Sequence, residues 1–575
     1  MNNTKTAPHT HGRRMASLGL VLALMLALFG ALALALPLRA RAAVETIQLD
    51  TLTGGESGNG WSYTAGSPNT LTISANGDGD GFLLSGSPAS PIKIVVVTAG
   101  PVTLSSGGTA LTNVYIEVTE DAATLTLANL TLTAPATMVY AHALNFTSAS
   151  GSHILHFSGG VSLTGGANNT RIGYGIRSAA GLTITGGGAA HTLAATGGGP
   201  ATGLSGGYGI WVNSGSLVLN GAGALTATGG AGDGTLDGAL GIGIISGNMT
   251  MEAGSALRVA ATGGAGGTTN GGGGNGLVVD GAMEVLGGSL EAFGGAGHGS
   301  RTGGHGIKCE SALLAAPTEA TGGTADGSAA AGDGVHITAA GGLTVEGTLA
   351  ATGAATTGTG TGGYGISIDG TGGFTVAAGA VVNSTGGAAG TEGGSGVFMN
   401  SSAGNLILSG QLAATGGNST TPQTTATAGA GMRLENTSTK VVFGASAARL
   451  TLTDGANAYK RPAHQAVPLQ HAVAGYIWQV APAAQLATGT PQDADIAVES
   501  TTGSATVVTL VSTGGGTPAP TPTPEPAPDP GPGSPQTGDG SNIPGWVGLG
   551  TAALIGLGLC GLVIYRRRRQ RNKAS

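Results

Sequence analysis

The sequence predicts an all-β chain built around a three-sided parallel β-helix, with helical segments only at its two ends. Three observations lead to this fold class: a repeat of about 32 residues, short runs of alternating apolar residues within each repeat, and 112 glycines in 575 residues. Only 9% of the residues are charged and the mean hydropathy is +0.22, whereas disordered chains combine low hydrophobicity with high net charge. The glycines do not recur at every third position, which excludes collagen. The composition therefore indicates a folded repeat protein.

The first element is a predicted signal peptide over residues 1–42. Two arginines precede an apolar run over 15–36, and small residues follow at the spacing that a signal peptidase requires. The predicted signal peptidase site consists of Ala40, Ala42 and Ala43. An uncleaved membrane anchor is the alternative, because the apolar run is long for a signal peptide. Either form indicates export.

Residues 43–170 are predicted to be a β-rich region that starts the solenoid. Four apolar segments in it have the length and pattern of strands, although the repeat markers described below are missing there. These segments are 71–73, 92–97, 114–118 and 125–132. The stretch from Trp61 to Tyr63 either begins the solenoid or caps it.

Residues 171–440 carry the repeat, which two markers identify. The first marker is a glycine followed by an aliphatic residue, at spacings of 34, 34, 33, 30, 28, 31, 31 and 35. Its glycines are Gly175, Gly209, Gly243, Gly276, Gly306, Gly334, Gly365, Gly396 and Gly431. The second marker, Ala-Thr-Gly-Gly or a close variant, keeps step with the first. Two markers in phase indicate a true structural repeat.

Within each repeat, three short alternations predict three strands that form one rung. In the repeat from Gly209 the inward positions of the first strand are Ile210 and Val212, and two further apolar pairs follow. We expect rungs to stack about 4.8 Å apart. The glycine-rich stretch after each Thr-Gly-Gly is predicted to bulge as a loop along one edge.

Residues 441–511 are predicted to be a β-rich C-terminal cap, because the repeat markers end and prolines and aromatics return. As a whole, residues 45–511 resemble the glycine-rich right-handed β-helix regions of bacterial surface proteins. The resemblance rests on pattern rather than on signature residues, and it implies a right-handed solenoid. A stack of small β-sandwich modules is the alternative fold.

The C-terminal elements are a stalk over 512–533 and a sorting region over 534–575. Eight alternating prolines in the stalk favour an extended spacer of roughly 50 Å. Residues 543–565 are apolar and long enough to span a membrane, and a basic cluster typical of a stop-transfer signal follows them. That cluster consists of Arg566, Arg567, Arg568, Arg569 and Arg571.

Before the span lies the motif Ser534, Pro535, Gln536, Thr537 and Gly538. Together with the span and the basic tail, it resembles the sorting signal of LPXTG-type surface proteins of Gram-positive bacteria. The resemblance implies that a sortase cleaves the Thr537–Gly538 bond and joins Thr537 to peptidoglycan. Ser534 replaces the family's leucine, which leaves the sortase class open. The alternative is a chain that stays membrane-anchored with its bulk outside the cell.

Charge and residue types limit what the exported part can do. Residues 43–537 hold 28 acidic and 11 basic side chains, a net charge near −17, which argues against binding nucleic acid. Glu284 and Glu291 are the candidate carboxylate pair for a glycosidase, but we expect them on different sheets, with Glu291 paired to Arg258 in the neighbouring rung. Cys309 occupies an inward position and is predicted to be buried. The sequence indicates no catalytic residues, no metal site and no cofactor.

Aromatic residues on one face are the candidates for ligand binding. Five of the 21 aromatics lie on or beside the outward face of the first strand: Tyr174, Tyr208, Trp211, Tyr364 and Phe398. Aromatic faces stack on sugar rings, so these residues are candidates for binding glycans or host surface molecules. Packing beneath the adjacent loops is the alternative.

The sequence therefore predicts a cell-wall-anchored surface protein that serves in adhesion or glycan binding without catalysis of its own. Its expected partners are a sortase, peptidoglycan and, before sorting, the membrane. Two alternatives remain: an extracellular polysaccharide lyase or hydrolase, and a structural spacer without a ligand.

Overall fold

The computed structural model describes residues 44–512 except 75–80, 139–141, 168–172, 200–201, 401, 420–426, 437, 457–466, 472, 482–495, 499–500 and 503. These residues form a parallel β-solenoid of the right-handed type, with about 11 turns and a repeat of about 31 residues. The all-β solenoid that the sequence predicted is thereby confirmed. In the described part of the chain, the 3₁₀ turn Leu49–Thr51 is the sole helical element, and no helix is long and apolar enough to cross a membrane.

Three parallel ladders of strands run along the solenoid, and each rung contributes one strand or part of a strand to each ladder. The first ladder contains Asn69–Ile73, Ile92–Val96, Val114–Val118, Leu144–Phe146, Ile176–Ser178, Ile210–Val212, Ile242–Ile244, Leu277–Val285, Ile307–Leu314, Val335–Val345, Ile366–Ile368, Val397–Met399 and Met432–Leu434.

The first and second ladders share the three long strands between residues 277 and 345. Each of these strands runs through a corner of the solenoid, so its first part lies in the first ladder and its last part in the second. The other strands of the second ladder are Glu45–Gln48, Phe82–Ser85, Val102–Ser105, Thr124–Ala128, Ser152–Ser158, Gly181–Thr196, Leu217–Thr228, Met249–Met251, Phe374–Val376, Leu406–Leu408, Val441–Phe443 and Val467–His471.

The third ladder includes the C-terminal parts of the two long strands between residues 181 and 228. Its other strands are Ala110–Thr112, Thr131–Thr133, Gly160–Thr164, Ala256–Thr262, Ser289–Phe293, Thr318–Thr321, Thr348–Thr352, Val381–Thr385, Gln411–Thr415 and Arg449–Asp454. The parallel stack thus begins well before the first sequence marker and continues past residue 440.

Antiparallel strands cover the sheet edges at both ends of the stack. Near the N-terminus, Trp61–Thr64 pairs antiparallel with Ser57–Gly58 and with the first strand of the first ladder. Near the C-terminus the additional strands are Tyr476–Ala481, Ile496–Val498, Thr501–Thr502 and Thr506–Ser512, of which all but Thr501–Thr502 pair antiparallel. Such strands occupy hydrogen-bonding groups that the last rungs of a solenoid would expose.

The core consists of side chains that stack on themselves from rung to rung. Ile210 and Val212 are fully buried, and their neighbours in the adjacent rungs occupy the same inward columns. Cys309 continues one of these columns between Val279 and Ile337, is 1% exposed, and has a thiol pKa that burial raises to about 12. The predicted role of Cys309 as a small apolar core residue is consistent with this environment.

The glycine-rich stretches, which the sequence predicted to bulge as a loop along one edge, form a regular layer. The segment leaving the third ladder and the segment returning to the first ladder lie side by side and exchange backbone hydrogen bonds. The Gly207 N–H donates to Gly198 O at 3.0 Å, Gly230 to Gly207 at 2.7 Å, and Ala239 to Gly230 at 2.9 Å. We call this arrangement the glycine layer. It continues in the same way to Gly455.

Steric crowding explains why glycine is needed in the glycine layer. A Cβ built on Gly230 would overlap the carbonyl oxygen of Gly198, and one on Gly198 would overlap that of Gly166. Marker glycines are crowded as well, since a Cβ on Gly209 would lie 2.6 Å from the Gly241 carbonyl oxygen. Much of the high glycine content is therefore explained by backbone segments that pack directly against one another.

Candidate functional site

Two columns of outward side chains run along the solenoid beside the first ladder. The leading column holds His142, which precedes Ala143, and the residue before each marker glycine in the later rungs: Tyr174, Tyr208, Leu240, Asn275, His305, Asp333, Tyr364, Ser395 and Ala430. From the strand Leu144–Phe146 onward, the outer column holds the second residue of each first-ladder strand: Asn145, Arg177, Trp211, Gly243, Val278, Lys308, His336, Ser367, Phe398 and Arg433. Candidate ligand-binding residues from the sequence all belong to these two columns.

The register corrects one marker assignment. Ile242 pairs with Ile210 and Gly243 pairs with Trp211, so the marker glycine of this rung is Gly241 rather than Gly243. The sequence reads Gly-Ile-Gly-Ile here and fits the marker twice, which is why the sequence-based choice was wrong by two residues. The outer column therefore has glycine, with no side chain, immediately after Trp211.

Four rings form a stack at the N-terminal part of the two columns. Ring centroids are 4.6 Å apart for His142–Tyr174, 4.9 Å for Tyr174–Tyr208 and 4.5 Å for Tyr208–Trp211. Tyr174, Tyr208 and Trp211 are partly buried, and burial raises the pKa of both tyrosines. Trp211 is the last ring of this stack and lies over Gly243, where a Cβ would come within 2.9 Å of the indole atom Cε3.

A groove with a volume of about 440 Å³ opens where the ring stack ends. Trp211, Tyr208, Leu240 and Ile245 provide its apolar and aromatic lining, while backbone of the glycine layer provides another part of its wall. Its polar lining includes Asp237, Asn275, Arg301 and Thr302. The Asp237 Oδ1 atom accepts a hydrogen bond from the Gly272 N–H at 2.7 Å, which fixes the carboxylate at the rim. Ring faces combined with charged and amide groups suit a ligand rich in hydroxyl groups.

Tyr364 and Phe398 form a second, separate cluster. Phe398 lies six rungs after Trp211 in the outer column, which corresponds to about 29 Å at about 4.8 Å per rung. The Tyr364 and Phe398 rings stack at 4.4 Å, and the Arg433 guanidinium lies 5.5 Å from the Phe398 centroid. Arg433 in turn binds Glu392 at 2.9 Å. Phe398 is only 8% exposed, and burial raises the pKa of Tyr364 to about 12. This cluster is internally packed, so only three of the five predicted aromatics lie in the ring stack that ends at the groove.

The predicted carboxylate pair does not meet in one place. Glu284 lies on the second ladder and Glu291 on the third, on different faces as the alternation indicated. Arg258 is opposite Ser289, while Glu291 is opposite Ala260. The predicted Arg258–Glu291 ion pair is therefore wrong, because the two charged residues are offset by two positions and form no ion pair in the described structure.

A cluster of titratable residues that the sequence analysis missed lies further along the leading and outer columns. It consists of His305, Asp333 and His336, whose potential ligand atoms all lie within 4.8 Å of one another. The residues come from two successive rungs and are 28 and 3 positions apart, so no local spacing reveals them. Aligning the residues before successive marker glycines is the one sequence signal that places His305 beside Asp333.

The predicted sequence elements at the two chain ends lie outside the described residues. They include the signal peptidase site, the stalk from residue 513 onward, the Ser534–Gly538 motif, the span over 543–565 and the arginine cluster. These assignments stay predictions. Searches of known protein families, of curated proteins and of solved structures gave no match for this chain.

Proposed function

We propose that the chain is a secreted surface protein of a Gram-positive bacterium, anchored to the cell wall by a sortase, and that its solenoid binds glycans at the Trp211 groove. The anchoring proposal is supported by the order of a Pro-X-Thr-Gly motif, an apolar run and a basic tail at the C-terminus. The apolar run over 15–36 and the small residues that follow it support export.

The glycan-binding proposal is supported most directly by the groove at the end of the ring stack. Trp211 and Leu240 lie over the Cβ position of Gly243, and both side chains line the groove, so the space open to a ligand is the groove beside the indole. A pyranose ring at this place would contact the indole on one side. Asp237, Asn275 and Arg301 would then provide hydrogen-bonding groups for its hydroxyls.

The ring stack itself explains why the groove is held in position before any ligand arrives. Trp211 packs against Tyr208, and Tyr208 packs against Tyr174, so the indole has few alternative orientations. A preorganised aromatic surface loses little conformational entropy on binding. Tyr364 and Phe398 have no role in this proposal, because Phe398 is buried beneath its neighbours.

The test compares two aromatic variants of the full chain on a panel of plant, host and bacterial polysaccharides. We expect Trp211→Ala to weaken binding at least tenfold, since losing about 1.4 kcal/mol of contact energy has that effect. Phe398→Ala is the matched control: it removes an aromatic residue from the same column, and we expect unchanged binding.

Three results would contradict the proposal. Binding that survives Trp211→Ala would exclude the groove, and an absence of binding across the whole panel would favour the structural spacer. Newly released chain ends in any polysaccharide would favour the degrading enzyme. Far-UV circular dichroism of both variants checks that the solenoid is intact.

A further inference from the structure

A carboxylate and two imidazoles meet where the leading and outer columns cross two successive rungs. The Asp333 Oδ2 atom lies 2.9 Å from His336 Nδ1 and 3.4 Å from His305 Nδ1. The imidazole rings stack with centroids 4.5 Å apart. Asp333 is 7% exposed, and its Oδ1 atom accepts a hydrogen bond from the Tyr364 N–H at 2.7 Å. A buried carboxyl group thus lies between two imidazole nitrogens.

The proton positions leave His305 ready to act as a ligand. Its Nδ1 atom accepts a hydrogen bond from the Asp333 N–H at 3.1 Å, so this nitrogen carries no proton and has a lone pair. A ring whose Nδ1 atom carries no proton is neutral. Metals bind histidine in this neutral form. Coordination at Nδ1 would replace the hydrogen bond from Asp333.

His336 has a carboxylate on each side. Its Nδ1 atom faces Asp333, and its Nε2 atom lies 3.4 Å from Asp369 Oδ2. A metal ion bound at Nδ1 would require the ring proton to be on Nε2, and this N–H would donate a hydrogen bond to Asp369 Oδ2. A ligating histidine that donates its other N–H to a carboxylate is the usual second-sphere arrangement of metal sites.

The spacing of the three atoms is close to that of a tetrahedral site. Bonds of about 2.0–2.1 Å to zinc place neighbouring ligand atoms about 3.4 Å apart. Two of the three separations are 2.9 and 3.4 Å, and side-chain rotation can close the third, which is within 4.8 Å. Lys308 lies opposite His336 in the outer column and brings one basic group close to the cluster. Two acidic groups, Asp333 and Asp369, also lie beside His336, so acidic groups outnumber the basic one around the cluster.

We propose that His305, Asp333 and His336 bind a divalent transition-metal ion, with Zn²⁺ the expected occupant, and leave a fourth position open to water. The ligands join two successive rungs, so the ion would act as a cross-link along the solenoid. Imidazole nitrogen with one carboxylate is a ligand set that suits Zn²⁺ better than Ca²⁺ or Mg²⁺, which prefer oxygen ligands. This proposal is independent of glycan binding.

The experiment titrates Zn²⁺ into the full chain, purified without a histidine tag, by isothermal titration calorimetry. Co²⁺ then serves as a spectroscopic probe of the ligands through its visible absorption. We expect one ion per chain, and at least tenfold weaker binding in His305→Asn and in His336→Gln. The His305→Asn variant keeps an acceptor for the Asp333 N–H, because Asn275 already does this for the His305 N–H in the preceding rung.

The control variant is His298→Gln, which removes a histidine that contacts one carboxylate, Asp326, at 2.7 Å. We expect it to bind Zn²⁺ as the unmodified chain does. The proposal is overturned if the unmodified chain binds no stoichiometric Zn²⁺. It is equally overturned if binding persists in both ligand variants, or if His298→Gln weakens it as much as they do.

Discussion

Substituting alanine for Gly230 tests whether the glycine layer contributes to stability. Gly230 lies where a Cβ would overlap the carbonyl oxygen of Gly198, while its own N–H donates to Gly207 at 2.7 Å. Gly199 is the matched control, because it belongs to the same rung as Gly198 and a Cβ there would have no neighbour within 4 Å. The same chemical change is therefore made at a crowded and at an open position.

The expected cost follows from the contacts around Gly230. Relieving the overlap separates two segments of the layer and weakens the bonds from Gly230 to Gly207 and from Ala239 to Gly230. Each such bond contributes about 1 kcal/mol, and overpacking typically costs about 1–3 kcal/mol. We expect Gly230→Ala to lower the local opening free energy by about 3 kcal/mol. Gly199→Ala should leave it unchanged or raise it by less than about 1 kcal/mol.

Hydrogen–deuterium exchange with mass spectrometry suits this test, because a solenoid opens locally rather than as one unit. A change of about 3 kcal/mol corresponds to exchange roughly a hundredfold faster in peptides from residues 204–240. Peptides covering 366–399 serve as an internal reference and should not change. Equal exchange in the two variants would refute the steric account of the glycine layer.

Two further predictions concern proton binding and anchoring. Burial, with a smaller effect of the Arg177 charge, lowers the pKa of His142 to about 3. Between about pH 3 and 6.5 the unfolded chain therefore binds a proton that the folded chain does not. The free energy of unfolding consequently falls as the pH falls below 6.5. We expect the free energy of unfolding, measured with urea, to fall between pH 7 and pH 5 by about 2 kcal/mol less in His142→Asn than in the unmodified chain. An equal fall in both proteins would contradict the burial argument. In a Gram-positive host with a sortase, Thr537→Ala should move the protein from the wall fraction released by muralytic digestion to the membrane fraction, and an unchanged wall fraction would refute sorting at Thr537.

Strand pattern and core were predictable from the sequence, because both depend on side-chain alternation. Leu217 and Leu219 illustrate this, since they occupy inward positions as their period of two predicts. Cys309 was predictable for the same reason: its place in the alternation identifies it as an inward residue. Register was less certain wherever the sequence repeats within a marker, as at Gly241 and Gly243.

The glycine layer and the His305 cluster could not be predicted in the same way. The hydrogen bonds of the layer join backbone atoms of segments that have no apolar periodicity, so Gly207 and Gly230 carry no sequence signal of being partners. His305 and Asp333 meet only because neighbouring rungs align the residues before their marker glycines. Cross-rung contacts depend on the exact number of residues between rungs, and that number varies here from 28 to 35.

This variation in rung length has a genetic consequence. Extra residues are accommodated outside the paired strands or at the corners between ladders, as after Cys309 and after Gly187, and the strands on either side of such a corner still pair with the next rung. Each rung contacts chiefly the rungs before and after it. An in-frame duplication or deletion of one repeat in the gene would therefore create one new contact between rungs of the same pattern, and would lengthen or shorten the solenoid by about 4.8 Å. Length is the property of this fold that replication slippage can change at the smallest structural cost.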